Sequence, residues 1–217
     1  MTKSLTPAIF LIKKKQIKEF LADKAPFIVF GSVRGEEEAD IYKILLKVFC
    51  KAPKTVAGFF PRHLHRIDEI KKGLKRFSIK LILRSEIAEP VPAGTVIIWD
   101  VFGELGAAYE MAKAAFVGGS LAPLGGQNFL EPLATGIIPV TGPFWDNFKW
   151  IGDEIFQQGL VKKTSGWEET ALVLIKNLEN PESRERIQKA AENYVKERQG
   201  GAAIASRIIH ELYQKKL

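Results

Sequence analysis

The sequence predicts an α/β fold: a Rossmann-like parallel sheet of about six strands with helices on both faces and a helical C-terminus. Three observations predict it. Short apolar runs alternate with amphipathic stretches at helical spacing along most of the chain. The first run, Phe27-Ile-Val-Phe30, is continuously apolar, as a strand buried on both faces requires. Each run ends in a turn rich in glycine, proline or charge, which is where open α/β sheets place their ligands.

The elements follow in order. Residues 1–25 read as a lead-in or interdomain linker, with a short helix from Gln16 to Asp23, and residues 26–217 as one domain. After Phe27–Phe30 comes Gly31-Ser32-Val-Arg-Gly35-Glu-Glu-Glu38, then a helix carrying Ile41, Leu45, Val48 and Phe49. Acids in a first helical turn offset the dipole, which accounts for part of that acidic cluster. Thr55–Phe60 is the second strand, running into Pro61-Arg62-His63. Arg62 thus ends a strand, and a guanidinium fork suits phosphate. A basic helix (Leu64–Phe77), a third strand (Lys80–Leu83), a proline-bearing loop and a fourth strand (Val96–Asp100) follow. Gly103-Glu104-Leu105 then opens a helix.

The densest pattern runs from Phe116 to Gly142. A strand (Ala114–Val117) gives way to Gly118-Gly119-Ser120, and Gly125-Gly126 opens a helix expected from Gln127 or Asn128 to Gly136. Glycines let a ligand approach the backbone, and a helix N-terminus favours an anion. Glu131, one turn in, is placed to accept hydrogen bonds from the vicinal hydroxyls of a sugar. The alternative is that the glycines make tight turns and Glu131 complements the dipole. Strands at Ile137–Val140 and Leu160–Val161 and helices at Trp167–Asn177, Pro181–Arg198 and Ala202–Lys215 complete the chain.

Composition bounds the function. The 217 residues are 46% hydrophobic and 26% charged, with a net charge of +7. Such a balance suits a polyanion or an anionic membrane surface. Nucleic acid is disfavoured, because no helix-turn-helix, RNA-recognition or zinc-finger pattern is present. Cys50 is the single cysteine, and with His63, His65 and His210 it offers no zinc set, so no metal is expected. No apolar run reaches the roughly 18 residues of a membrane span.

Six blocks in order carry a resemblance: Gly31-Ser32-x-x-Gly35-Glu36-Glu37, Pro61-Arg62-His63, Gly103-Glu104-Leu105, Phe116-Val-Gly-Gly-Ser120, Gly125-Gly126-x-Asn128-x-Leu130-Glu131-Pro132 and Gly142-Pro143 with Asn147-Phe148. Over about residues 26–215 the chain resembles the C-terminal half of the 3-deoxy-D-manno-octulosonic acid (Kdo) transferases, glycosyltransferase-B type enzymes that modify lipid A precursor in lipopolysaccharide biosynthesis. The resemblance implies a donor-binding domain for CMP-Kdo and an inverting transfer without a metal. Arg62 would contact the CMP phosphate, with Gly103, Glu104 and Leu105 presenting a helix N-terminus to it. Asn128 and Glu131 would hold the nucleotide, Glu131 on the ribose. Ser32 and Glu37 would lie on the Kdo side, and Gly119, Ser120, Gly125 and Gly126 would line the donor loops.

Val33-Arg34, Leu124, Gln127 and Phe144-Trp145 stand where the family usually has Thr-His, Arg, His and His-Thr. The resemblance also implies a partner: an N-terminal domain that carries the catalytic carboxylate and the acceptor site and faces lipid A precursor at the cytoplasmic face of the bacterial inner membrane. No catalytic residue is marked here, and the domain alone is expected to be inactive. A donor domain for a UDP-sugar, or a non-catalytic nucleotide- or membrane-binding module, are the other readings.

Overall fold

The computed structural model describes residues 7–21 and 25–198. Its elements, in order, are α1 (Pro7–Phe20), β1 (Phe27–Val33), α2 (Glu38–Lys51), β2 (Val56–Pro61), α3 (Ile67–Arg76), β3 (Lys80–Leu83), β4 (Thr95–Ile98), α4 (Leu105–Met111), β5 (Ala114–Val117), α5 (Leu130–Ala134), β6 (Pro139–Thr141), α6 (Glu154–Gln157), β7 (Lys162–Lys163), α7 (Trp167–Glu179) and α8 (Arg184–Glu197). Short 3-10 turns precede α2, α3 and α6 and follow β3. The seven strands form one sheet in the order β3-β4-β2-β1-β5-β6-β7. Every pairing is parallel, with Phe30 opposite Phe59 on one side and Phe116 on the other.

Side-chain alternation along β1 explains why both faces are covered. Ile28 and Phe30 point to one face and pack with Phe59, Ile98 and Phe116 under α2, α3 and α7. Phe27 and Val29 point to the other and pack with Ile97 and Trp99 under α4 and Ile17 of α1. Every second residue thus feeds a different core, and the continuous apolar run is explained. A third cluster, around Phe129, Trp145, Ile155, Ile187 and Tyr194, joins α5, α6 and α8 beyond β6.

The structure corrects several sequence-based boundaries. The lead-in helix begins at Pro7 rather than Gln16, and its Ile17 is part of the domain core. A bridge from Leu21 to Val91 ties the end of this segment to the loop before β4. The helix expected from Gln127 is five residues long and starts at Leu130, because Gly125 and Gly126, at φ 81° and 77°, hold the preceding segment as a loop. β6 starts at Pro139, and the last strand is Lys162–Lys163 rather than Leu160–Val161. α8 starts at Arg184, where the Ser183 hydroxyl caps the Arg186 amide. The helix expected at 202–215 lies outside the described residues.

The chain leaves β1 toward β2, β3 and β4, and returns from β4 to β5 on the opposite side of β1. The crevice between the carboxyl ends of β1 and β5 is therefore the topological switch point, where ligands of open α/β sheets sit. Among the described residues no helix is long and apolar enough to cross a membrane, and no group of His, Cys, Asp and Glu is arranged to hold a metal ion.

Candidate functional site

Three loops meet at the switch point. The carboxyl end of β1 carries Ser32 at φ 55°, a left-handed backbone that costs a serine energy and is held by its surroundings. The turn after β5 presses against it: a Cβ on Gly118 would lie 2.5 Å from the Ser32 carbonyl and 2.6 Å from Oε1 of Glu37. Only glycine allows that approach. The loop after β2 joins through the Arg62 N–H, which donates to the Val33 carbonyl at 2.8 Å.

Glu37 is the anion that the glycine-rich turn binds. Its carboxylate is 1% exposed. It accepts from the backbone N–H groups of Gly119 (2.6 Å), Ser120 (3.2 Å), Leu121 (3.2 Å) and, locally, Arg34 (2.9 Å). Burial pushes the Glu37 carboxyl above the usual range, against these four N–H groups, which pull it down. The expectation that Glu37 faces a sugar is thereby corrected, and the amides of Gly119 and Ser120, expected to line the donor loops, are taken by the protein's own carboxylate. Ser120 is fully buried, and its hydroxyl donates to the Val117 carbonyl and accepts from the Gly142 N–H, so it cross-links the loops after β5 and β6.

Glu104 is corrected for a similar reason. It is 7% exposed and receives a two-point fork from Arg84, at 2.9 and 3.2 Å, and the indole N–H of Trp99 at 2.8 Å. It locks the ends of β3 and β4 to the start of α4 and turns away from solvent. Leu105 starts α4, and exposed Gly103 precedes it at φ 77°. The carbonyl of Gly103 accepts from Lys13 Nζ of α1 at 3.0 Å.

Other expected residues remain at the surface of the rim. Arg62 is exposed at the end of β2. Asn128 and Glu131 are exposed and paired: the Asn128 amide donates to Glu131 Oε1 at 3.1 Å, and its carbonyl accepts from the Leu130 N–H at 3.1 Å. Asn128 thus ties the start of α5 to the preceding loop and aims the carboxylate, leaving Oε2 open for a hydroxyl donor. The charge of Glu131, after burial, helps push the Tyr109 phenol upward, so its field reaches below the loop surface. Gly125 and Gly126 are buried and shape the loop; Asn147 donates to the carbonyls of Leu124 and Gly126 and occupies the space a Cβ on Gly125 would need.

Sequence reasoning missed Lys13, Arg84 and the Arg66–Glu38 pair. Arg66 forks onto Glu38 at 2.7 and 3.0 Å, next to Tyr42. Lys13 lies in the Lys13-Lys14-Lys15 run, which was a signal of charge but gave no partner. At the opposite, amino end of the strands, a groove of about 380 Å³ is lined by Lys113, Ile137 and Arg184 among others. The Arg184 guanidinium there donates to the carbonyls of Thr135, Tyr109 and Ala112, which marks the groove as a seam between helices.

No protein-family model matches the chain. A Kdo transferase of Haemophilus influenzae is 32% identical over 179 residues, 82% of this chain and 42% of that protein. A bifunctional glycosyltransferase/methyltransferase of Fusobacterium nucleatum is 30% identical over 175 residues, 78% of this chain and 27% of that protein. The chain therefore spans less than half the length of these curated relatives. Among solved structures, the C-terminal CMP-Kdo binding domain of WaaA from Acinetobacter baumannii matches with a TM-score of 0.76 at 28% identity, covering 87% of this chain and 98% of that domain. The catalytic domain of starch synthase IV from Arabidopsis thaliana, at 12% identity and a TM-score of 0.53, covers 95% of this chain and 42% of that one and shares the fold. In sequence and fold the chain is homologous to the Kdo transferases, and its solved counterpart is a C-terminal domain.

Proposed function

We propose that this chain, a homologue of the C-terminal half of the Kdo transferases, is the donor-binding domain of a Kdo glycosyltransferase in lipopolysaccharide biosynthesis. It takes CMP-Kdo at the carboxyl rim of its sheet. The observation that carries the reading is the match, over 98% of its length, to a domain described as CMP-Kdo binding. Exposed Arg62 and the Asn128–Glu131 pair on the same rim support it.

In this reading Arg62 meets the phosphate with its planar fork, and the first amides of α4, after Gly103, add a dipole end. Glu131, held by Asn128, accepts from the ribose hydroxyls. Ser32, Arg34 and the loop after β6 lie on the sugar side. Glu37, Ser120 and Glu104 bind nothing themselves and keep the loops in register. Transfer to an acceptor hydroxyl needs a positioned base. That base belongs to a second, acceptor-binding domain, which also meets lipid A precursor. The net charge of +7 suits a peripheral place on an anionic membrane surface, at the cytoplasmic face of the inner membrane.

Isothermal titration with CMP and UDP tests the donor. CMP is expected to bind at least tenfold more tightly, and Arg62→Ala to weaken CMP about tenfold, the loss of one charge-assisted contact. Tighter binding of UDP would move the chain to a UDP-sugar donor, and binding of neither would end the reading.

A further inference from the structure

We infer that Arg34 recognises a carboxylate on the donor's sugar and so separates sugar-acid donors from neutral ones. The inference rests on the donor-binding reading above and names a specificity residue within that site.

The argument begins with three arginines of the same half of the sheet. Arg66 and Arg84 each present Nε and Nη2 as a fork, and each fork is closed by a carboxylate of the protein, Glu38 and Glu104 respectively. Arg34 has the same partial burial, its side chain 28% exposed against 32% for Arg66. Its Nε is buried and has no hydrogen-bond partner among the described residues. The nearest acid, Glu36, stands 3.9 Å from Nε, beyond hydrogen-bond length, and is itself half exposed. Glu37 faces Arg34 too, but its two oxygens are taken up by the four backbone N–H groups, one of them that of Arg34 itself. A buried guanidinium N–H without an acceptor carries a cost comparable to a lost hydrogen bond. The protein pairs this fork twice with its own carboxylates and once leaves its Nε without an acceptor.

That arginine stands at the switch point. Arg34 is two residues beyond Ser32, whose carbonyl touches the turn after β5. The Val33 carbonyl between them accepts from Arg62. The bond from the Arg34 N–H to Glu37 at 2.9 Å anchors its backbone beside the turn after β5. A flat carboxylate, two oxygens side by side, is the shape that Nε and Nη2 bind together. Exposed Arg62, from the next loop, is left for the phosphate. A donor that carries both a phosphate and a sugar carboxylate would engage both arginines; a nucleotide of a neutral sugar would leave Arg34 unpaired, and a site with an unpaired buried donor discriminates against such a ligand.

Titration of the wild-type chain and of the Arg34→Lys and Arg34→Gln variants with CMP and with CMP-Kdo tests this. Both replacements keep an aliphatic stem, and melting curves establish that each variant folds. Expected is a loss of about tenfold or more in CMP-Kdo affinity with CMP affinity changed less than about twofold, and with Arg34→Lys weaker than wild type despite its charge. Equal losses for CMP and CMP-Kdo would make Arg34 a phosphate contact and overturn the inference, as would unchanged binding of CMP-Kdo. A wild-type chain that binds neither nucleotide overturns the donor reading and this inference with it; binding of both by wild type, with the variants unaffected, overturns this inference alone.

Discussion

Glu37 and Glu131 are both carboxylates beside a glycine-rich turn, and the fold gives them opposite fates. Glu37 is buried and meets backbone N–H groups from two loops. Glu131 is exposed and meets one side-chain amide. In both cases the anion is the protein's own; what differs is who supplies the hydrogen-bond donors. At the centre of the sheet the protein supplies them and gains rigidity. At the rim the protein supplies an acceptor and leaves the donor groups to a ligand. A carboxylate beside glycines is therefore a site only where its oxygens are still free.

The comparison breaks most visibly at Glu37. Its replacement by Ala leaves buried N–H groups of Gly119, Ser120 and Leu121 unpaired, and about 3 kcal/mol or more of stability is expected to go, seen as a fall of about 10 °C in the melting temperature. A change below about 2 °C would mean that the turn is satisfied some other way and is open to a ligand after all. Arg84→Ala is expected to cost about 3 kcal/mol, because it leaves the charge of buried Glu104 without its cation; a urea midpoint that does not move would remove Glu104 from the class of internal anions. Glu131→Ala should leave stability within about 0.5 kcal/mol while weakening CMP about tenfold, and Asn128→Ala should give the same direction with a smaller loss. If Glu131→Ala unfolds the chain, the division between internal and free carboxylates fails.

The smallest effect is in pH. Burial raises the folded pKa of Glu37 above its unfolded value. Folding therefore takes up a proton at this group: its titration-linked stability is full below the ordinary carboxylate pKa and is lost as pH rises through the raised value. The gap in stability between wild type and Glu37→Gln should be widest in acid and narrow toward neutrality. A gap that widens as pH rises would show that the backbone N–H groups outweigh burial.

The sheet was legible because its signal is local. Phe27–Phe30 and Ala114–Val117 are apolar enough to be strands in any context, and the turns that follow them are marked by glycine. The fates of the charged residues were not legible. Glu37 meets Gly119 across 82 residues of sequence, and Arg84 meets Glu104 across 20. Nothing near Glu37 in the chain distinguishes it from Glu36, which is exposed. The early start of α1 was hidden by its lysines, which break the apolar pattern although the helix still buries Ile17. The short α5 followed from two glycines that the sequence displays; the expectation erred in reading them as the helix start, when the helix opens after Phe129, with the Asn128 side chain accepting from its first N–H.

The two margins of the sheet bear on how such a domain avoids sticking to copies of itself. An unpaired strand margin is a template on which another chain can add. Here one margin is β7, two residues long, and both are exposed lysines. The other is β3, four residues, opened by exposed Lys80. A second sheet approaching either side would find little ladder to extend and like charge on its own matching margin. The parallel stack is thus terminated by length on one flank and by cation on both.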